Sequence, residues 1–261
     1  MSETRDRLRL TFDSSADLYE AARPAYPEEL FDDLVALAEL RPGDRLLEIG
    51  CATGKATRRC SSASSPSRAS SLARSWRSTR GAPWPAFRLS STSRRRDVEG
   101  RARVVRPRLR GDRLALGRSG NPLRQGPRLL RPGGHLAFWR AQHAFPAGFD
   151  PFFAEIQEVY ETIGESRGEE APPPPEDVPD ERAEIEASGL FEDVQIRRYL
   201  WERSYTAEEY VALLDTFSGH IAMEAWKRER LYGEIRRRLA ERPDGRVLRH
   251  WHAILHVARR K

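Results

Sequence analysis

The chain has 261 residues, a formal net charge of +6 and a sequence pI of about 9.7. This length suits one large α/β domain or two small ones and allows a sizeable buried core. Its two cysteines, Cys51 and Cys60, exclude a disulfide framework and lack metal-ligand spacing, so we expect no bound metal. The charged start, MSETRDRLRL, predicts no signal peptide. No run approaches the roughly 18 apolar residues of a membrane span, so we expect a cytoplasmic protein without a membrane partner.

The positive charge is concentrated in one part of the sequence. Residues 58–128 contain 19 arginines, no lysine and three acids, which gives this segment a net charge of +16. The rest of the chain therefore carries a net charge of −10. The basic pI belongs to the segment, and the remainder is an acidic protein.

The N-terminal part predicts a helix followed by a strand. Residues 1–41 read as helical, with a helix after Pro27 that has Glu28 and Glu29 in its first turn. The apolar residues of this helix recur at helical spacing: Leu30, Leu34, Leu37 and Ala38. A turn, RPG, and a short apolar strand, DRLLEIG, follow, which is typical of an α/β domain.

The same order of helix, turn and strand is predicted after the arginine-rich segment. RLLRPGGHLAFWR predicts a helix end, a Pro-Gly-Gly turn and a strand from His135 to Trp139. An amphipathic helix at 150–163 is predicted next, and a stiff, exposed, acidic loop at 165–181.

The C-terminal part predicts two strands and a capped helix. A short helix stops at Gly189 and precedes a strand, and Thr206 with Glu209 three residues later forms a capping box. The final sequence, GRVLRHWHAILHVARRK, reads as a strand. Its apolar residues do not strictly alternate, so the register stays open.

The turn in LLEIGCATGKAT gives the sharpest chemical signal. Gly50, Ala52 and Gly54 shape a connection from a strand into a helix. Glycines let the backbone approach a ligand closely, and a helix N-terminus offers N–H groups to a carboxylate or phosphate. A cofactor turn and a plain tight connection are both compatible with this pattern alone.

Three stretches carry a resemblance to a known family: YEAARPAYPEELFDDL at 19–34, RPGDRLLEIGCATGKAT at 41–57 and RLLRPGGHLAFW at 128–139. With them the chain resembles class I S-adenosylmethionine-dependent methyltransferases, in particular the type-11-like bacterial branch. The tail at 190–261 is similar to the last two strands of that fold. The resemblance implies an α/β, Rossmann-like, mostly parallel twisted sheet with a reversed last strand. It also implies methyl transfer from S-adenosyl-L-methionine, with catalytic residues that the sequence does not identify.

The resemblance also implies the cofactor-binding residues. Glu48 would be the acid near the methionine amino group, and the turn beneath the methionine part would comprise Gly50, Cys51, Ala52, Thr53 and Gly54. Ala52 departs from the commoner glycine. Tyr19, Arg23 and Tyr26 lie in a segment that closes over the cofactor in the family, and helix packing is the alternative role for the two tyrosines.

The expected organisation has six parts. They are an N-terminal helical lid at 1–41, the first strand and cofactor turn at 42–57, the anomalous segment at 58–128, a core strand at 129–145, a helical and Pro-rich cap at 146–189, and the C-terminal part of the core at 190–261. The cap lies where this family builds a substrate cover, so we expect a small-molecule methyl acceptor and no nucleic acid.

The segment 58–128 resembles nothing in the family. It has 13 serines but no isoleucine, tyrosine, lysine, histidine or methionine, which is unusual even for a disordered arm. One interpretation is a frame-shifted reading: synonymous codons for 97–128, read one base later, allow a family-like strand, FDLVFAATAWHW. The other is a basic arm in a non-enzymatic nucleic-acid-binding protein, with Trp76, Trp84 and Phe87 stacking on bases.

Frame disruption has two consequences for the chain as written. Residues 58–128 should lack the family's second to fourth strands and be poorly ordered or irregular. We also expect this chain to bind S-adenosylmethionine weakly or not at all.

Overall fold

The computed structural model describes residues 18–41, 44–49, 88–92, 95–96, 102–103, 112–117, 130–166 and 173–261. Between 45 and 117 it describes the backbone of the strands. All statements below refer to these parts of the chain.

The described residues form helices and strands in mixed order. The helices are α1 (Glu28–Leu37), α2 (Phe152–Glu155), α3 (Gln157–Thr162), α4 (Arg182–Ala187), α5 (Ala207–Leu214), α6 (Ser218–Ala222) and α7 (Ala225–Ala240). The strands are β1 (Arg45–Ile49), β2 (Arg88–Thr92), β3 (Arg95–Arg96), β4 (Ala102–Arg103), β5 (Asp112–Gly117), β6 (Leu130–Phe138), β7 (Ala141–Ala144), β8 (Phe191–Thr206) and β9 (Arg246–Arg260).

Seven of these strands form one sheet in the order β2-β1-β5-β6-β9-β7, with β8 paired to β9 beside this path. Strand β1 is parallel to both β2 and β5, and β5 is parallel to β6. Strand β9 runs antiparallel to β6. The α/β class expected from the sequence is confirmed, and the sheet combines parallel and antiparallel pairs.

Parts of the arginine-rich segment have a regular backbone. β2 and β5 flank β1, while β3 and β4 form a separate antiparallel pair. The prediction that 58–128 is poorly ordered or irregular and lacks further strands of the sheet is therefore wrong for these short stretches, because β2 and β5 satisfy the two edges of β1 and β3 pairs with β4. The rest of that segment lies outside the described residues.

The chain divides into two units, which are described separately. The helical unit comprises the described residues of Met1–Ala25, Ala141–Pro179 and Leu200–His252. The sheet unit comprises those of Tyr26–Arg140, Asp180–Tyr199 and Ala253–Lys261.

The core of the helical unit is built from the apolar faces of α2, α3, α5 and α7. Its fully buried members include Phe152, Ile156, Tyr205, Leu213, Leu231, Leu239 and Trp251. The predicted helix at 150–163 is present but is divided at Ile156 into α2 and α3. The predicted capping box is confirmed, since Thr206 accepts from the Glu209 backbone and the Glu209 carboxylate accepts from the Thr206 backbone.

The sheet unit contains the predicted N-terminal helix and strand. Leu30 and Leu34 of α1 and Ala38 after it are buried, as the spacing predicted, whereas Leu37 is half-buried; Phe31, which was not predicted, is buried as well. A smaller core cluster joins strands β6, β8 and β9 to α4, and its members are Leu130, Leu136, Ile185, Phe191, Val194 and Ala258.

The turn predicted at Pro-Gly-Gly is an irregularity within a strand instead. The Pro-Gly-Gly residues lie within β6, where Asp112 of β5 pairs with Leu130 and Leu114 pairs with His135. Four residues of β6 thus oppose one residue of β5. Gly133 has φ of 73°, which glycine adopts without strain.

The change in burial along β9 explains why its apolar residues do not alternate strictly. In the helical unit Val247, Arg249 and Trp251 are buried while Leu248 is exposed, as in a strand with one covered face. From residue 251 to 258 every residue is buried. Both faces of the strand are covered there, so successive residues no longer alternate between buried and exposed positions.

Candidate functional site

The candidate cofactor site lies at the carboxyl end of β1. In chain order the next strand of the sheet, β2, pairs on one side of β1, while β5 pairs on the other. The strand order therefore reverses at β1, and open α/β sheets bind ligands beside the carboxyl ends of strands at such a switch point.

Glu48 is the penultimate residue of this strand. Its backbone lies level with Ser91 of β2 and Leu116 of β5. The predicted turn residues Gly50, Cys51, Ala52, Thr53 and Gly54 lie outside the described residues. Their binding role, like that of the Glu48 side chain, stays a prediction.

Arg23 makes close contacts within the helical unit. Its Nε donates to Thr216 Oγ1 at 2.8 Å and its guanidinium lies 3.9 Å from the centre of the Phe217 ring. Tyr19 contacts the same guanidinium, with 5.1 Å between the group and the ring centre. These contacts hold Arg23 and Tyr19 by packing, and their contact with a cofactor stays a prediction.

Tyr26 belongs to the sheet unit. Its half-buried ring meets Phe31 and Trp139 edge-on, with ring centres 6.4 and 6.1 Å apart. Phe31 and Trp139 also pack edge-on against each other at 6.1 Å. This aromatic trio secures the residues before α1, which supports a packing role for Tyr26.

A second candidate site, not predicted from the sequence, lies in the helical unit. Arg249 is only 5% exposed, and its guanidinium faces the rings of Trp251, Phe217 and Tyr210 at 4.5, 5.5 and 6.0 Å. We call these four residues the Arg249 cluster. Burial lowers the pKa of Arg249, and the neighbouring Tyr210 and Tyr205 act in the opposite direction.

A polar pair borders the Arg249 cluster. The Tyr160 hydroxyl and His220 Nε2 are 2.8 Å apart, and the buried His220 ring has its centre 6.1 Å from that of Phe217. Tyrosine and histidine can each donate or accept a hydrogen bond, so this pair can exchange roles.

The sequence offered one weak signal for this site. Arg249 is the one of the four β9 arginines that occupies a buried position where the strand alternates between buried and exposed residues. Its aromatic neighbours come from α5, the segment before α6 and β9, separated by about 40 residues of chain. Sequence spacing does not reveal that these elements meet.

Comparison with solved structures supports a methyltransferase-type fold. A protein assigned as a type II methyltransferase from Anaeromyxobacter dehalogenans aligns with a TM-score of 0.51 and 18% identity, covering 91% of this chain and 97% of that chain. A protein assigned as a methyltransferase from Bacillus halodurans aligns with a TM-score of 0.40 and 14% identity, covering 89% of this chain and 99% of that chain.

A third alignment is with phosphoethanolamine N-methyltransferase 2 from Haemonchus contortus, solved in complex with S-adenosyl-L-methionine. It has a TM-score of 0.38 and 13% identity, and it covers 95% of this chain and 57% of that chain. No protein-family model matches the chain, and no curated protein matches it.

The likeness to the Anaeromyxobacter structure, at this identity, shows the fold alone. The expected methyltransferase-type α/β fold is thereby confirmed. The comparisons give no support to a nucleic-acid-binding protein. In the described parts of the chain, no helix has the length and apolar character to cross a membrane.

Proposed function

We propose that this chain descends from class I S-adenosylmethionine-dependent methyltransferases of the type-11-like branch, with a Rossmann-like core and a small-molecule acceptor. The observation that carries the proposal is the reversal of strand order at β1, which ends at Ile49; in the sequence, the residues Gly50 to Gly54 follow directly. The sequence at 50–54 resembles the family's cofactor turn. Open α/β sheets bind their ligands at the switch point, which here lies at the end of β1.

S-adenosylmethionine supplies a methyl group on a sulfonium, which transfers by in-line displacement. The protein contributes binding and alignment. Glu48 would accept hydrogen bonds from the methionine amino group, and the glycines at 50 and 54 would let the backbone approach the methionine part. Tyr19, Arg23 and Tyr26 would cover the cofactor.

One feature of the sequence opposes tight cofactor binding by the chain as written. The resemblance implies an acid after the second strand to bind the ribose hydroxyls, but no Asp or Glu occurs between Glu48 and Asp97. β2 ends at Thr92 and is followed by serine and arginine. We therefore propose weak affinity for this chain and a frame-disrupted origin for 58–128.

Calorimetric titration with S-adenosylmethionine tests both parts of the proposal. The chain as written should show no micromolar binding, whereas a protein whose reading frame over codons 55–130 has been restored should bind in the micromolar range. In the restored protein, Glu48→Gln should weaken binding by about tenfold or more, because a hydrogen bond to a charged group is lost.

The outcomes separate the claims. Micromolar binding by the chain as written would refute the weak-affinity claim. A restored protein that folds but does not bind would refute the cofactor assignment. Re-determined nucleotides that show an unbroken frame across codons 55–130 would refute frame disruption.

A further inference from the structure

We propose that the Arg249 cluster of the helical unit binds the carboxylate of a small organic acid with an apolar body. This inference does not depend on the proposed methyl transfer, since every residue that carries it lies in the helical unit and outside the β1 turn.

The first step is the charge of Arg249. The residue is 5% exposed, and in the described parts of the chain it takes part in no ion pair; its Nε has no hydrogen-bond partner, and the group hydrogen-bonds the Tyr210 side chain. Arginine stays protonated in proteins, so burial cannot be relieved by loss of the proton. A buried charge of this kind needs an opposite charge.

Another arginine of the same unit, which is less buried, is paired with a carboxylate. Arg242, with 29% of its side chain exposed, forms a two-pronged pair with Asp150 at 2.7 and 2.9 Å. Arg249 is more deeply buried, yet in the described parts of the chain its neighbours are aromatic: it hydrogen-bonds the Tyr210 side chain and faces the rings of Phe217 and Trp251. One neutral hydroxyl and the ring faces do not offer the two parallel, charged acceptors that the planar guanidinium fork matches.

The second step is the chemistry of the ligand. A carboxylate matches the guanidinium fork with two parallel hydrogen bonds. The surrounding Tyr210, Phe217 and Trp251 rings favour an apolar or aromatic body attached to that carboxylate. A phosphate carries more charge and more acceptors than a single buried guanidinium satisfies.

The third step is access. Arg23, Thr216 and Phe217 are only partly buried, whereas Arg249 and Trp251 are buried. The Arg23 guanidinium lies 3.9 Å from the centre of the Phe217 ring, which Arg249 also faces. This second positive charge at the partly exposed edge would attract an anion toward Arg249.

Thermal unfolding of the full chain tests the inference. The ligands are acetate, phenylacetate and indole-3-acetate, each compared with its neutral amide and with inorganic phosphate. Phenylacetate or indole-3-acetate should raise the midpoint of unfolding more than its amide does. Titration calorimetry should give an affinity for the acid that Arg249→Met weakens by about tenfold or more, as expected for a lost charged hydrogen-bonding partner.

Arg203→Met is the matched control. Arg203 also faces an aromatic ring, with 4.8 Å between its guanidinium and the centre of Tyr205, but it is only partly buried. This variant should keep the full response to the acid.

Acids that act no better than their amides, phosphate that acts as well as the acids, or equal responses in the wild type and Arg249→Met would each overturn the inference. If Arg249→Met does not fold, the acid-versus-amide titration of the wild type decides the question alone.

Discussion

Asp150 provides the strongest single test of how the helical unit is held together. Its side chain, 8% exposed, accepts two hydrogen bonds from Arg242 at 2.7 and 2.9 Å. It also accepts from the backbone N–H groups of Phe152 and Leu248 at 3.0 and 2.9 Å. One carboxylate therefore joins the start of α2 to the loop after α7 and to β9, next to Arg249.

Asp150→Asn should lower the free energy of unfolding by about 3 kcal/mol. Removing one partner of a buried ion pair costs about 3–5 kcal/mol, and the partial exposure of Arg242 places this pair at the lower end. Urea unfolding followed by tryptophan fluorescence measures the change. Glu208→Gln is the control, because the Arg236–Glu208 pair has the same two-pronged geometry but is exposed, and it should change stability little.

The pH dependence gives a second measure of the same contacts. Burial by itself would raise the pKa of Asp150, but the Arg242 side chain and the Leu248 and Phe152 N–H groups hold the pKa below its usual 3.8. A lowered folded-state pKa gives stability that is present above the unfolded pKa and is lost as pH falls through the folded pKa. The difference between wild type and Asp150→Asn should therefore be constant near neutral pH and shrink below about 3.8. A loss under about 0.5 kcal/mol, as for an ordinary surface change, would refute this reasoning.

Two further substitutions probe the two units separately, and urea unfolding measures both. Thr206→Ala should cost about 1 kcal/mol, because the N–H of Glu209 loses its capping acceptor; Thr206→Ser is the control and should keep most of the stability. Trp139→Ala in the sheet unit should cost about 3–5 kcal/mol, because it removes the ring against which Tyr26 and Phe31 pack. A Trp139→Phe variant as unstable as Trp139→Ala would contradict the packing argument.

Much of the local structure was readable from particular residues. Pro27 and the apolar spacing after it predicted α1, and Thr206 with Glu209 predicted the start of α5. These signals succeed because caps and helical periodicity depend on neighbours within a few residues. The Pro-Gly-Gly prediction was wrong for the same reason: these residues mark a local departure from regular backbone, but only the pairing with β5 decides that the departure lies within strand β6.

Of the two candidate sites, one was predicted from the sequence and the other was not. Sequence resemblance pointed to Glu48 and the turn after it, and the sheet order adds a physical reason for a ligand there. The Arg249 cluster was missed, because an arginine in a strand gives no sign of which aromatic side chains will surround it.

The sequence by itself determined α1, the helical stretch at 150–163, α4, α5, the short strand β1 and the unusual character of 58–128, since each depends on composition or on contacts close along the chain; α6 and α7 were not predicted. Only the tertiary structure decided that β2 and β5 lie on opposite sides of β1 and that Arg249 is buried among rings. Both facts arise from residues far apart in the chain, whose meeting depends on how whole elements pack.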